Sequence, residues 1–505
     1  MGISQIELAF ELAFNNKLAL LLVLLALYLL LTAIYYAFIH PLAEVPGPKL
    51  YAITQIPYFY HLTQGSWLDK LNKLHNQYGP VVRFAPNDIS FITADAVKII
   101  YGHKASGFAP FDKDLRMYRH GHPVKDIVTA GHEDHKRIRR HLGYAFSTKA
   151  LRDHEIILNY YADKFISELC QRAGTYVDMM AWFNYATFDI MGHLSLGQPF
   201  GCLDTGQYHP WITLLLTSIK FFSFTTVVAR LGLVRWIHWL IPTNHDKTLK
   251  NDLQFVDRAA STRFNTGDTK SSDIMSYILK YDDGKGMTKA EILENASLLV
   301  AAGSETTATL LSGTAYYLLT NPDKYNILVN EIRSTFKSED EITLPRINQL
   351  QYLLAVLNEG LRIYPPSASG LARITPAGGK SIEGYWIPEN TSVSVPHQPA
   401  FLSAFNFKDP QKFIPERWLG DTKYASDNRD VLQPFSAGPR DCIGKSFAYN
   451  ETRVLLTRLL WKFDLELLPE SKDWIVQKVY FLYEKPAMHV KMTEVVREKS
   501  VDKSD

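Results

Sequence analysis

The stretch F-S-A-G-P-R-D-C-I-G, residues 435–444, decides how this chain is read. It sets two glycines, a proline, an arginine and one of only three cysteines in a short loop. The run that follows, KSFAYNETRVLLTRLLWKF from Lys445, has the pattern of an amphipathic helix. Cys442 therefore sits at or near a helix N-terminus, where free amides and the helix dipole stabilise a thiolate. Gly438 and Gly444 let the backbone approach something large and flat. Most lone cysteines are buried and inert. A thiolate nucleophile wants a base beside it, and none is evident in the sequence. A single thiolate metal ligand fits better, if the metal arrives with its other ligands attached, as haem iron does.

The other cysteines, Cys170 and Cys202, are widely spaced, so neither a disulfide framework nor a zinc cluster follows and a reducing compartment is expected. The 505 residues exceed one simple core, which favours two domains or one large fold. Apolar residues at 46% supply a large interior, and a net charge of +2 gives no global sign of nucleic-acid binding.

Residues 18–39, LALLLVLLALYLLLTAIYYAFI, carry no charge and are long enough to cross a bilayer as a retained anchor. A cleaved signal peptide would be shorter and end at a small-residue site. Residues 1–17 hold Glu7, Glu11 and Lys17, which fits an N-terminus outside the cytosol and a cytosolic body. Pro41, Pro46, Gly47 and Pro48 make residues 40–50 a stiff hinge. Residues 211–242 are strongly apolar but broken by Lys220, Arg230 and Arg235. They read either as core helices or as a surface dipping into the membrane interface. From Lys491 the chain is charged and expected to fray, Glu494 and Arg497 included.

Thr288 and Glu291 form a capping box, and Asn321-Pro322 stops the apolar run behind it. This predicts a helix of about 33 residues, roughly 50 Å long. Inside it stand Ala302, Gly303, Ser304, Glu305, Thr306 and Thr307. One reading is a close helix crossing that needs glycine, with the polar groups facing solvent. The other is a local opening of the helix ladder over which a small molecule sits, with a hydroxyl and a carboxylate ready to pass protons. A second helix is predicted from about Asn348 to Tyr364, carrying Glu359 and Arg362 on one face in apolar surroundings. A buried pair needs further partners, and Arg417 of the P-E-R-W run 415–418 is a candidate. Short strands are predicted between Gly370 and Val395. Near residue 135, His135 and Arg139 share a helix face suited to an anion, with Lys136, Arg137 and Arg140 facing outward. The alternative is a solvated basic face, and a histidine metal site is a weak third.

Together F-x-x-G-x-R-x-C-x-G, E-x-x-R, P-E-R-W and A-G-x-E-T-T stand in the order and rough spacing of the cytochromes P450, the haem-thiolate monooxygenases. The chain resembles that family from the anchor to near residue 490, and most closely its fungal microsomal members of secondary metabolism. The resemblance implies one mainly α catalytic unit with a small β region, residues 51–490, behind the anchor and followed by a tail at 491–505. It implies haem b with Cys442 as axial thiolate, held in a loop that includes Phe435 and Gly444. His135, Arg139, Arg373 and Arg440 are then placed for the haem propionates, although many relatives have tryptophan where His135 stands. Glu359, Arg362 and Arg417 become the structural triad. Glu305 and Thr306 resemble the proton-delivery pair, and Ala302 and Gly303 line the oxygen site.

Implied partners are O2, an NADPH-dependent cytochrome P450 reductase drawn to the basic face of Lys136, Arg137, Arg140 and Lys445, and cytochrome b5. The implied location is the endoplasmic reticulum membrane. Substrate contacts are expected at residues 107–119, 211–242 and 367–371 and on the helix before Ala302. The substrate is read as a lipophilic polyketide, terpenoid or alkaloid. A haem-thiolate isomerase or dehydratase, a fatty-acid or xenobiotic hydroxylase, and a non-catalytic haem sensor are the competing readings.

Overall fold

The computed structural model describes residues 3–104, 109–118, 124–233, 254–281 and 284–496. Its axis is the helix Lys289–Leu319, 31 residues long. Thr288 Oγ1 accepts from the Glu291 amide at 3.3 Å, and Glu291 Oε2 accepts from the Thr288 amide at 2.8 Å, so the predicted capping box sets the start. Pro322 opens the next helix, Pro322–Thr335, and ends this one. The central helix packs against Met179–Leu196, Phe255–Asn265, Gln351–Ile363 and Lys445–Lys462. With neighbours on most sides it buries apolar residues all round, which is why its sequence reads as a continuous apolar run.

A smaller β region lies beside this helical body. A five-stranded sheet runs Val81–Ala85, Asp88–Phe91, Ser392–Ser394, Arg373–Ile374, Asp112–Lys113 in spatial order. Lys380–Ile382 and Tyr385–Ile387 form a hairpin turned by Glu383 and Gly384, both at positive φ. The third sheet pairs His489–Glu494 with Tyr176–Asp178 and Phe463–Leu467. The β region has its own apolar cluster around Ile89, Phe91, Val393 and Phe401, distinct from the large cluster among the helices. The architecture is the expected one, mainly α with small sheets.

Several expected boundaries shift. The second helix is Gln351–Ile363, because a short separate turn, Leu344–Ile347, precedes it. Residues 491–494 do not fray: all four pair with Phe463–Leu467, Lys491 pairs with Tyr176 as well, and Glu494 pairs with Lys462 at 2.7 Å. Arg497 lies outside the described residues. Residues 211–233 form two helices, Pro210–Thr217 and Ile219–Arg230, bent by 45°. The remainder of the 211–242 segment is outside the description.

The N-terminal helix Ile3–Ile34 continues as Tyr35–Ile39, and Lys17–Ile39 has a mean hydropathy of 2.7, enough to cross a membrane. The hinge behind it is clamped as well as stiff. Arg83, 1% exposed, donates to the carbonyls of Tyr36 at 2.9 Å, Leu42 at 3.2 Å and Pro86 at 2.8 Å. The Pro46 carbonyl in turn accepts from the Arg83 amide at 2.7 Å. Gly47 is required here, since a Cβ would meet the Arg83 carbonyl oxygen at 2.3 Å.

Candidate functional site

The opening loop folds as its composition demands. Gly438 at φ +74 takes a left-handed turn and packs so close to Tyr101 that a Cβ would lie 2.1 Å from its carbonyl oxygen. The approach that Gly438 permits is therefore chain on chain. Gly444 differs: a Cβ there would meet only Phe146 at 3.8 Å and Cys442 Sγ at 4.0 Å, so space beside the thiol stays open. The Cys442 amide donates to the Phe435 carbonyl at 2.8 Å, which closes the loop, and the helix Lys445–Lys462 begins three residues on. The Phe435 ring packs at a tilt on Tyr449, 5.3 Å between centroids. Cys442 is accessible yet deep, and burial raises its thiol pKa despite the Gly444 amide. Cys170 is half-buried. Cys202 is buried, with its thiol pushed up to about 12 by desolvation.

The central helix is buried along most of its length, but at its middle Ala302 is exposed and Gly303 and Thr306 are half-exposed. An exposed alanine in the core helix marks a recess. The helix ladder does not open there: the segment stays α-helical, and Thr306 Oγ1 donates to the Ala302 carbonyl at 2.7 Å. Gly303 answers the helix-crossing reading, since a Cβ would meet the Met191 side chain at 2.9 Å. Ser304 bonds the same neighbouring helix through the Thr187 carbonyl at 3.2 Å. Glu305 does not contact Thr306. Successive helix residues point about 100° apart, and Glu305 is buried in an ion pair with Lys485 at 2.6 Å. Lys485 also donates to Thr309 Oγ1 at 2.7 Å. One Glu305 oxygen, Oε2, has no partner. Thr307 faces Glu451 of the Lys445–Lys462 helix, whose carboxyl burial pushes up to about 8.

Cations gather around Arg373. Arg373 and Lys113 are directly opposed across two antiparallel strands. Like charges so placed repel unless an anion joins them. Arg373 is 2% exposed, with Nη1 unpartnered. Burial, then Arg373 and Arg440, hold the Lys113 ammonium well below its usual pKa. Burial, then Arg440 and Lys113, lower buried His135 to about 3. Arg440 donates to the Ala130 carbonyl at 2.9 Å and has its own pKa lowered by burial and Arg373. A cluster this rich in buried donors suits a group with carboxylates, such as the haem propionates.

Arg139 adds its charge to this cluster, being among those that lower His135. Its guanidinium donates to Asp441, to the backbone carbonyl at 2.6 Å and also to the carboxylate, tying its helix His132–Gly143 to the cysteine loop. Arg137 does not face outward either. It is bidentate to Glu291 at 2.7 and 2.9 Å, while Lys136, Arg140 and Lys445 remain exposed.

The triad assembles fully buried. Arg362 pairs with Glu359 at 2.7 and 2.9 Å, and Arg417 Nε reaches Glu359 at 3.2 Å. Glu359 also accepts from the Ile414 amide at 2.8 Å and from Trp418 Nε1 at 2.9 Å. Arg417 pairs with Asp427 besides.

A cavity of about 650 Å³, counted with its open mouth, does not have Cys442 in its lining. Ser369, Gly370, Met117, Phe222 and Arg230 line it, so three expected substrate regions meet there; residues 107, 108 and 119 are outside the description. The helix before Ala302 does not line it. Sequence reading missed Lys113, Lys485, Tyr480 and Phe481. The Y-F-L-Y run at 480–483 was the one visible signal.

The mainly α fold and a cysteine loop at a helix start are compatible with a haem-thiolate oxygenase, and comparison with known proteins shows the class. The Cytochrome P450 family model matches residues 46–492. The chain is 42% identical over 473 residues to the cytochrome P450 monooxygenase aclL of Aspergillus oryzae, covering 93% of this chain and 96% of that protein. It is 41% identical to astA of Talaromyces wortmannii, covering 92% and 94%, and 39% identical to atr2 of Stereocaulon alpinum, covering 93% and 94%; both carry the same monooxygenase description. This chain belongs to the cytochrome P450 family and is a monooxygenase. Membership brings thiolate-ligated haem iron and O2.

Proposed function

We propose that the protein is a membrane-anchored monooxygenase that hydroxylates or otherwise oxidises a lipophilic secondary metabolite of a polyketide, terpenoid or alkaloid kind. Electrons come from NADPH through a reductase, with cytochrome b5 as a second donor. Residues 18–39 hold it in the endoplasmic reticulum membrane with the body, residues 51–490, in the cytosol. The observation that carries this reading is an accessible cysteine at a helix start together with a solvent-exposed, still helical stretch of the core helix at Ala302.

Cys442 supplies the thiolate. Arg373, Arg440, His135 and Arg139, with Lys113 added, would hold the propionates, and Arg139 also steadies the loop through Asp441. The bound haem supplies O2 activation, in which a thiolate ligand favours O–O cleavage. Thr306, pinned on the Ala302 carbonyl, offers its hydroxyl to the recess. Glu305 relays protons only when it leaves Lys485, so that ion pair gates the relay. Exposed Lys136, Arg140 and Lys445 face the reductase.

The test is the absorption spectrum of the reduced protein with carbon monoxide. A strongly red-shifted Soret band is expected for the wild type and its loss for Cys442→Ala. The same band in Cys442→Ala would remove this assignment.

A further inference from the structure

The helix Ile219–Arg230 is built inside out. Its outward face shows Phe221 and Phe224, 55% and 49% exposed, while Ser223 and Thr226 are each 2% exposed on the inward face. Residues 223, 226 and 230 share one side of a helix, and all three line the 650 Å³ cavity. Thr226 is satisfied by the Phe222 carbonyl at 3.0 Å. Ser223 Oγ and Arg230 Nε have no partner. Buried donors left unmet cost about 1–3 kcal/mol each, so such groups rarely persist without a purpose.

The electrostatics narrow what could meet them. The Arg230 side chain is 2% exposed, and its outer nitrogens go to Asp88 at 2.6 Å and Gln55 at 3.2 Å. Asp114, which Arg116 holds at 2.8 Å, lies 3.7 Å from Arg230. Two arginines face two aspartates, so the cluster has no net positive charge to hold a carboxylate. Much of the remaining wall is aromatic, with Tyr58, Trp67, Phe84, Phe222 and Phe481 among aliphatic residues and serines. Flat rings stack on flat, unsaturated ligands.

We propose that this cavity recognises a neutral, planar, unsaturated substrate by one acceptor oxygen, a ketone, lactone or amide carbonyl, held by Ser223 Oγ–H and Arg230 Nε–H. The proposal rests on the monooxygenase reading above and names the substrate class of that enzyme. A site built to donate hydrogen bonds discriminates strongly against a ligand without the acceptor, because its buried donors stay unmet.

The test uses the haem-loaded full chain and three tricyclic probes: xanthone, xanthene, which lacks the carbonyl, and xanthone-2-carboxylate. Affinities are read by equilibrium dialysis, with the Soret difference spectrum alongside. Xanthone is expected to bind about tenfold more tightly than xanthene, the worth of roughly one good hydrogen bond, and more tightly than the carboxylate. Ser223→Ala and Arg230→Lys, which keeps the charge beside Asp88, should each remove most of that preference and leave xanthene affinity unchanged. Equal affinity for xanthone and xanthene, tighter binding of the carboxylate, binding of no probe, or equal weakening of both by Ser223→Ala would each overturn the proposal. Failure of the monooxygenase reading shows separately, as loss of the red-shifted carbon monoxide band, and dialysis still reads the cavity in that case.

Discussion

At the residue scale, what the sequence disclosed depended on whether partners are close along the chain. Cys442, Glu359 and Arg362 were legible because a loop or a helix turn frames each of them. Lys485 was not: it meets Glu305 across 180 residues, and nothing local marks it. Lys113 was hidden too, since only the strand register sets it against Arg373. Removing Lys485 strands a carboxylate that is 2% exposed. Lys485→Met is therefore expected to cost about 3–5 kcal/mol, and adding Glu305→Gln should recover much of it, read as a coupling in a double-mutant cycle of urea unfolding. A single-mutant loss below about 1 kcal/mol would mean that the pair behaves as a surface ion pair.

At the scale of elements, helix existence followed from periodicity and caps, while ends and short strands depended on packing. The central helix matched its capping box to within a residue because both ends are chemically marked. The strand His489–Glu494 was read as a tail from Lys491 on because its charged residues alternate outward while Val490 and Met492 are buried, a pattern too brief to outweigh the charge. The triad ties the helix Gln351–Ile363 to the segment 410–418. Glu359→Gln takes the charge from the acceptor of five donors. It should lower stability by about 3–5 kcal/mol and speed amide exchange across 410–418 before the rest of the body. Uniform exchange through the chain would argue against a local clasp.

The anchor offers a second test at this scale. Removing residues 1–34 should release the protein from membranes and leave its melting temperature intact. Removing residues 1–46 should also lower the melting temperature, because Arg83 then loses the carbonyls of Tyr36, Leu42 and Pro46. Equal melting of the two truncations would show the clamp to be idle.

Across the whole molecule, buried titrating groups set the pH of greatest stability. His75 and His397 are held down to about 4 by burial, from 6.5. Both stay neutral in the fold while the unfolded chain takes up protons, so stability falls as pH drops from 6.5 toward 4, by about 1.4 kcal/mol per unit for each. Glu451 works the other way. Raised from 4.5 to about 8, it stays protonated in the fold while the unfolded chain ionises, so stability falls as pH rises through 4.5 to 8. The two histidines outweigh it below pH 6.5, which places the optimum near that value. Urea midpoints from pH 4 to 8 should peak there, and Glu451→Gln should flatten the alkaline limb. A midpoint that climbs from pH 6.5 to 8 would contradict the burial of Glu451.

The Arg83 clamp has one more consequence. It grips main-chain oxygens at Tyr36, Leu42 and Pro86, so its hold depends on the path of the chain and hardly on which side chains lie along it. The apolar segment ahead of Tyr35 is thereby released from any duty toward the body except length and greasiness. It can drift in sequence, or be exchanged for an unrelated apolar helix, and Arg83 will keep the same grip on the chain behind it.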